Sequence, residues 1–300
     1  MDSNHDYKKH AYLILAHKDD YTFYSLLRML DYEKNDIFIH MDIKNKSFDE
    51  DNVKRVINES SVFFSNRTSV TWGGYSLINA ELTILKCALS HGKYLYYHLL
   101  SGQDLPIKSQ AYIHNFFEAH QGTEFVRFES NVFRYPERIN YYYFLQDALG
   151  RKNSLLAKGL KALQMVFGIQ RNKNIEFQKG AEWFIITDNL AKYVVSKEKW
   201  IKKVFSYTTC CDEVFLQTLI INSEFKRKLV KLDFDDDSSM FMRLIDWKRG
   251  KPYVFRKNDR DELEKSDMLF ARKFSSEIDK DIIDWVVSRY ASKSDLPDSK

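Results

Sequence analysis

HAYLILA (residues 10–16) is a continuous, mostly apolar run with charged residues on both sides. A run of this kind predicts a strand that is buried on both faces, as in the middle of a parallel sheet. Helical spacing of apolar residues follows at 21–31 and again at 74–91. Three further apolar runs are predicted strands: IFIHMD (37–42), SSVFFS (60–65) and KYLYYHLLSG (93–102). This alternation predicts a doubly wound α/β fold.

The composition of the 300-residue chain suits one packed unit with short connections. Apolar residues make up 44% and aromatic residues 15%, and there are only four prolines and ten glycines. The net charge of +4 is too small to indicate nucleic-acid binding, but it fits an anionic small molecule or an anionic membrane surface. No run reaches the roughly 18 apolar residues of a membrane-spanning helix.

The cysteine pattern indicates a reducing compartment. The three cysteines are Cys87, Cys210 and Cys211. Adjacent cysteines are poor disulfide partners, and an odd number leaves at least one thiol free. We therefore expect free thiols and a cytoplasmic location.

Polar side chains follow each predicted strand of the first 110 residues. Ligands of doubly wound sheets bind beyond the carboxyl ends of the strands, so these side chains should share one rim. They are His17, Lys18, Asp42, Lys44, Ser101 and Asp104. Trp72 stands after the third strand, where it fits a stacking platform or the core, and of the two we favour the interpretation as a core residue.

Two segments of the second half carry open alternatives. The run 210–225 predicts a helix that begins near Cys211–Asp212, and from the residues alone its acids simply complement the helix N-terminus. The basic amphipathic run 151–174 fits contact with a membrane surface or an ordinary packed helix with a solvated basic face.

Eight segments in order resemble the core-2/I-branching β-1,6-N-acetylglucosaminyltransferases (glycosyltransferase family 14), a family that also contains peptide O-xylosyltransferases. SGQDLPI and the DEVFLQT run are the more specific of them. They are AYLILAH (11–17), IFIHMD (37–42), WGG (72–74), LLSGQDLPIK (99–108), AEWFIIT (181–187), DEVFLQTLIINSEF (212–225), RLIDW (243–247) and SDMLFARKF (266–274).

The resemblance implies a GT-A-like, Rossmann-related fold: a nucleotide-sugar-binding sheet with helices on both faces and an integrated acceptor half. We expect one domain over 1–300. Its parts would be a nucleotide-binding half at about 10–110, an acceptor and catalytic half at about 111–275, and a C-terminal helix and tail at 276–300. The implied reaction is an inverting, metal-independent transfer of a sugar, N-acetylglucosamine above all, from a UDP-sugar to a glycan hydroxyl.

The resemblance also implies roles for individual residues. Glu213 would be the catalytic base that accepts the proton of the acceptor hydroxyl, with Asp212 as a cap or an orienting group. Arg243 and Lys273 would bind the donor diphosphate, although Arg272 leaves an ambiguity of one position. The nucleoside would contact Leu15, Ala16, His17, Asp42 and Lys44. Candidates for the acceptor are Asp104, Glu182, Trp183 and Arg138, of which Asp104 also fits a bracing role in its loop.

No cofactor or metal is expected beyond the UDP-sugar donor. The acidic run 233–237 does not stand where a GT-A metal motif would, and it is interpreted as a solvated loop. We expect neither the membrane anchor nor the disulfide cysteines of the animal branching enzymes. We therefore expect a bacterial enzyme in the cytoplasm, peripheral on the inner membrane, that acts on a lipid-linked glycan of a cell-surface polysaccharide. The alternative is a non-catalytic protein of the same fold that binds a sugar nucleotide or glycan.

Overall fold

A six-stranded sheet forms the centre of the molecule in a computed structural model that describes residues 9–150 and 154–291. Its strands in chain order are β1 His10–Ala16, β2 Asn35–Met41, β3 Ser61–Phe64, β4 Tyr96–Ser101, β6 Phe125–Phe128 and β7 Gly180–Thr187. Their order across the sheet is β3-β2-β1-β4-β7-β6. The four strands of the first half are parallel, whereas β7 is antiparallel to β4 and to β6. Both halves of the chain therefore contribute to one sheet.

Helices cover both faces of this sheet. They are α1 Tyr21–Leu30, α2 Glu50–Lys54, α3 Tyr75–His91, α4 Gln110–Ala119, α5 Pro136–Asn140, α6 Gln146–Leu149, α7 Ser154–Val166, α8 Asp188–Ser196, α9 Glu198–Phe205, α10 Phe215–Ile221, α11 Arg260–Lys265 and α12 Lys280–Tyr290. Alternate residues of β1 enter two cores: Leu13 packs with α3 on one face, and Ile14 packs with α1 and α12 on the other. The prediction of an α/β fold with a central sheet between helices is confirmed.

A second, three-stranded sheet joins distant segments of the chain. β9 (Phe270–Arg272) lies between β5 (Asp104–Pro106) and β8 (Arg243–Ile245). The SGQDLPI loop and the LFARKF segment are therefore direct neighbours, since Asp104 pairs with Arg272 in the β5–β9 register. This pairing delivers residues near 272 to the rim formed by the first half.

The predicted helix at 210–225 begins later than expected, at Phe215. Backbone bonds pin the preceding segment elsewhere: Cys210 donates to the Gly73 carbonyl at 2.8 Å, and Gly180 donates to the Glu213 carbonyl at 2.9 Å. A Cβ on Gly180 would lie 1.7 Å from the Arg127 carbonyl oxygen, so only glycine allows this close approach. The expectation that Asp212 caps the helix is wrong, because α10 has no side-chain cap.

The C-terminal helix is present as α12, while the tail at 292–300 lies outside the described residues. Within the basic run at 151–174, residues 151–153 also lie outside the described residues, and α7 begins at Ser154. All three cysteines are free, as expected. Within 9–150 and 154–291, every helix is too short or too polar to cross a bilayer.

Candidate active site

A cleft of about 1290 Å³ opens at the carboxyl ends of β1, β2 and β4. This is the rim that the strand pattern predicts for ligand binding in a doubly wound sheet. Eight of the predicted site residues line it: Leu15, Ala16, His17, Asp42, Lys44, Glu182, Trp183 and Lys273. The structure thus brings together residues that lie more than 250 positions apart in the chain.

Asp42 organises the part of the rim that follows β2. Its buried carboxylate accepts a hydrogen bond from the Lys44 backbone at 2.9 Å and another from the Val70 backbone at 3.3 Å. Trp72, two residues further on, lines the cleft with 54% of its surface exposed, so its interpretation as a core residue is wrong. An exposed indole face beside a nucleotide-sized cleft is suited to stack on a ring.

A cluster of cations occupies the opposite side of the cleft and is formed by Lys18, Arg272 and Lys273. Burial lowers the pKa of the Lys273 ammonium, and the charges of Arg272 and Lys18 lower it further. Burial, Lys18 and Lys273 likewise lower the pKa of His17. Lys18 is itself paired with Glu277 at 2.8 Å, so the repulsion that an anion in the cleft would relieve is the one felt by Lys273 and His17.

Asp104 fixes one member of this cation cluster, Arg272. It is fully buried, and its carboxylate accepts hydrogen bonds from the Ser101 backbone at 2.9 Å and from the Arg272 guanidinium at 2.9 Å. The guanidinium of Arg272 also lies 4.6 Å from the centre of the Trp183 ring. The bracing interpretation of Asp104 is confirmed, and its assignment to the acceptor is corrected, because a carboxylate without exposed surface cannot meet an acceptor.

Arg243 departs from its predicted role at the diphosphate. Its side chain is fully buried outside the cleft lining, where it donates to the Leu99 carbonyl at 2.9 Å. It lies 3.7 Å from Asp104 and 5.2 Å from the centre of the Trp183 ring, and burial lowers its pKa to about 10. In this arrangement Arg243 supports the floor of the site, and Arg272 is the guanidinium that faces the cleft.

Glu213 lies in a network of charged residues beside the cleft rather than in its lining. Arg138 donates to its carboxylate at 2.8 Å, and the Lys179 ammonium lies 3.5 Å away. Both cations also face the ring of Tyr135, at 4.6 and 5.1 Å. Lys179 is shared with Glu129, which accepts a hydrogen bond from the Tyr135 hydroxyl. Arg138, which was predicted to bind the acceptor, therefore forms an ion pair with the candidate base Glu213.

Three further carboxyl groups lie close to one another: Glu81, Glu182 and Asp212. Burial, and then the charge of Asp212, raises the pKa of Glu182 to about 8. Burial and Glu213 raise the pKa of Asp212 to about 7, and burial raises that of Glu81 further above its usual range. Glu182 is the member of this cluster that lines the cleft. A half-buried carboxyl group with a raised pKa is suited to hold or accept a proton there.

The acidic run 233–237 takes no part in the cleft lining. Its carboxylates pair with Lys231 and Arg127, as expected for a solvated loop. Over residues 9–150 and 154–291, no three His, Cys, Asp or Glu side chains are grouped as a metal ion would require.

The profile of the family described as Branch, core-2/I-branching enzyme, matches residues 10–268. The chain belongs to the core-2/I-branching enzyme family. The match covers the whole central sheet and the cleft rim up to β8, in agreement with the resemblance seen in the ordered motifs.

The chain is also similar in sequence to two kinds of transferase. Xylosyltransferase sqv-6 of Caenorhabditis elegans is 23% identical over 269 residues, which are 82% of this chain and 32% of that protein. Xylosyltransferase 2 of Rattus norvegicus is 22% identical over 276 residues, 86% of this chain and 31% of that protein. The human N-acetyllactosaminide β-1,6-N-acetylglucosaminyltransferase is 26% identical over 219 residues, which are 70% of this chain and 52% of that protein.

The chain thus spans about a third of the length of the xylosyltransferases and about half of the human enzyme. These relatives are animal proteins, so a bacterial origin stays a prediction. Of the two cations that contact Glu213, the sequence analysis named Arg138 but did not reveal Lys179. Lys179 and its own partners, Glu129 and Tyr135, come from segments outside the motifs, and only tertiary structure brings them together.

Proposed function

We propose that this protein is an inverting glycosyltransferase that moves a sugar, with N-acetylglucosamine as the first candidate, from a UDP-sugar to a hydroxyl group of a glycan. The observation that supports this most is the cation cluster at the cleft. Lys18, Arg272 and Lys273 stand at a rim where doubly wound sheets bind nucleotides, and the repulsion felt by the Lys273 ammonium favours an anionic ligand.

The donor would lie with its nucleoside along the β1 and β2 ends. Asp42 and His17 offer polar atoms there, and the indole of Trp72 offers a stacking surface. The diphosphate would then reach Arg272 and Lys273. A guanidinium fixed by Asp104 can hold two phosphate oxygens, while the Lys273 ammonium neutralises charge that grows as the leaving group departs.

In a single displacement, the acceptor oxygen forms a bond to the anomeric carbon as the bond from that carbon to the UDP oxygen breaks. The acceptor proton must pass to a carboxylate. We assign this role to Glu213, whose carboxylate is held by Arg138 and Lys179 and keeps 34% of its surface exposed. UDP leaves with the electron pair of the broken bond, which the cations stabilise.

A second assignment of the base is favoured by one observation. Glu182 lines the cleft, and its pKa of about 8 makes its ionised form a stronger base than an ordinary carboxylate. Only a minor share of Glu182 is ionised at neutral pH, however, so a reaction that depended on it would accelerate as the pH rises through 8. This difference separates the two assignments in solution.

The proposal includes metal independence, because side-chain cations are available for the neutralisation that a divalent ion provides in other transferases. It also includes a lipid-linked glycan acceptor of a cell-surface polysaccharide, handled at the cytoplasmic face of a bacterial inner membrane. The basic run around α7 supports contact with the membrane. Nucleic acid is not among the expected partners.

A screen of UDP-sugars tests the proposal. Purified protein is incubated with each UDP-sugar, with and without a panel of glycan acceptors, and released UDP is measured. We expect one sugar to support UDP release that persists in EDTA. UDP binding without hydrolysis or transfer on any acceptor would favour the non-catalytic alternative, and loss of activity in EDTA would overturn metal independence.

A further inference from the structure

An apolar stripe on α7 faces away from the body of the protein. Leu155, Leu163 and Val166 are 83%, 55% and 80% exposed, and Leu156 is 53% exposed. Because successive residues of an α-helix are turned by about 100°, these four side chains fall within an arc of about 100°. The stripe continues beyond the helix in Phe167, which is 73% exposed. Soluble surface helices normally turn such a stripe toward the core.

The opposite side of α7 is the one that holds it to the protein. Gln164, about 180° from Leu155 on the helix, is buried. Its side-chain oxygen accepts from the Tyr142 backbone nitrogen at 2.8 Å, and its amide nitrogen donates to the Tyr142 carbonyl at 3.0 Å. The helix is therefore fixed by its polar side, and the exposure of the apolar stripe follows from that anchoring.

The exposure is concentrated in this segment. Of the 18 large hydrophobic side chains that are exposed within the described residues, seven lie between 155 and 169. An apolar surface of this density marks a binding surface rather than the scattered apolar residues of an ordinary protein exterior. We call these seven side chains the α7 patch: Leu155, Leu156, Leu163, Met165, Val166, Phe167 and Ile169.

Along the sequence, the charges within and beside the α7 segment have one sign. In the sequence, residues 148–175 contain no Asp or Glu. Their cations are Arg151, Lys152, Lys158, Lys161, Arg171 and Lys173. Lys158 is exposed and lies about 60° to the side of Leu155 on the helix. An apolar stripe with basic residues beside it is the pattern of helices that lie in the interface of an anionic bilayer.

We propose that the α7 patch docks this protein on an anionic lipid bilayer, with the apolar side chains in the interface and the exposed Lys158 at the lipid headgroups. A second copy of the chain fits less well, because a twofold contact through the same patch would bring two basic rims together. The bilayer supplies both the apolar phase and the negative charge.

Docking through α7 would also bring the bilayer close to the cleft. The segment before α7 is tied to the rim, since Thr71 donates to the Asp147 carbonyl at 2.7 Å and Gln146 donates to the Trp72 carbonyl at 3.3 Å. A glycan acceptor on a lipid carrier could then reach the site while its lipid stays in the membrane. This last step rests on the proposed transferase function, whereas the docking itself does not.

Vesicle flotation of the full chain tests the docking. We expect the protein to float with vesicles of phosphatidylglycerol and phosphatidylethanolamine, and to stay at the bottom of the gradient with phosphatidylcholine alone. In the triple variant Leu155→Ser, Val166→Ser, Phe167→Ser, the partition coefficient into anionic vesicles should fall by about tenfold or more. Three apolar side chains that would be buried in the bilayer have been removed. Lys158→Glu should also weaken binding, and more so at low salt.

Matched controls keep the test specific. Ile278→Ser removes an apolar side chain of similar exposure from another face, and Lys265→Glu reverses an exposed charge on α11, so both should float like the wild type. UDP release in solution should be unchanged in the triple variant, which shows that it folds. A Phe167→Trp variant gives a second readout, since its fluorescence should shift to the blue and be quenched by brominated lipid.

Three results would overturn the proposal. They are failure of the wild type to float with anionic vesicles, equal flotation of the triple variant, and a stable dimer in solution that the triple variant converts to a monomer. An inactive protein that still floats would count against the transferase function alone.

Discussion

The two halves of the central sheet place their charged side chains by different means. In the first half, residues 10–110, charged cleft residues such as His17, Asp42 and Lys44 lie within three positions of the end of β1 or β2, so the strand backbone carries them to the rim. In the second half, residues 111–275, Glu213 depends on two side-chain partners, Arg138 and Lys179, that come from separate segments. The first arrangement is a property of the sheet, whereas the second is a property of an ion-pair network that one substitution can rearrange.

The largest difference between the halves should appear at the cations of the cleft. We expect Lys273→Ala to lower kcat/KM by about 10²–10³-fold, because a donor of charge stabilisation to the leaving group is lost. Arg272→Ala should have a similar effect. Lys46→Ala is the matched control, since Lys46 lines the same cleft outside the cation cluster, and its effect should stay within about threefold. Equal losses at Lys46 and Lys273 would contradict a localised diphosphate site.

Arg243 tests the corrected assignment. We expect Arg243→Ala to lower the free energy of unfolding by about 3–5 kcal/mol, because it empties a fully buried site and leaves buried partners unpaired. Arg243→Met, which keeps most of the volume, should be better folded and should retain donor turnover. If Arg243→Met folds normally but loses as much turnover as Lys273→Ala, then Arg243 reaches the diphosphate after all. Chemical denaturation and UDP release provide the two measurements.

The carboxyl cluster of the second half should limit stability on the alkaline side. Glu182 has a raised pKa of about 8 in the folded protein, so the folded state binds more protons than the unfolded state from about pH 4 to 8. Stability therefore falls as the pH rises through this window. Glu182→Gln should remove part of this slope and raise the Tm at pH 9 by about 2–4 °C or more. A steeper alkaline loss in the variant would contradict the buried-acid account.

Three buried histidines, on β1, β4 and α4, should limit stability on the acid side. His10, His98 and His114 are buried together, and burial lowers the pKa of each, that of His114 to about 4. The unfolded chain takes up protons from about pH 6.5 downward, so stability is lost as the pH falls from 6.5 toward 4. His114→Gln should shrink this loss by about 1 kcal/mol, the smallest effect of the series. Thermal unfolding between pH 4 and 7 measures it.

This contrast also explains what the sequence could and could not predict. The apolar run of β1 and its neighbours predicted the sheet, and the rule that ligands bind at strand ends then located His17, Asp42 and Lys44 at the cleft. Trp72 was mispredicted because an aromatic residue between a strand and a helix has no periodic pattern that reveals which way it faces. Its position depends on the hydrogen bond from Gln146, a contact across 74 residues.

The second half was harder to predict for the same physical reason. Whether a basic residue meets the ligand or the core depends on burial, which the pairing of β8 with β9 decides for Arg243 and Arg272. The start of α10 was predicted too early because the bonds from Cys210 to Gly73 and from Gly180 to Glu213 hold the preceding turn. The family motifs identified Glu213, and tertiary contacts supply its partners.

Comparison of Glu213→Gln with Glu182→Gln tests the central claim most directly. Sugar transfer and UDP binding are measured for both variants, with transfer followed from pH 6 to 9. We predict that both bind UDP like the wild type, that Glu213→Gln lowers kcat by about 10²–10⁴-fold, and that Glu182→Gln retains most of the turnover. Loss of transfer in Glu182→Gln with normal turnover in Glu213→Gln, and a wild-type rate that rises through pH 8, would contradict the assignment of Glu213 as the base.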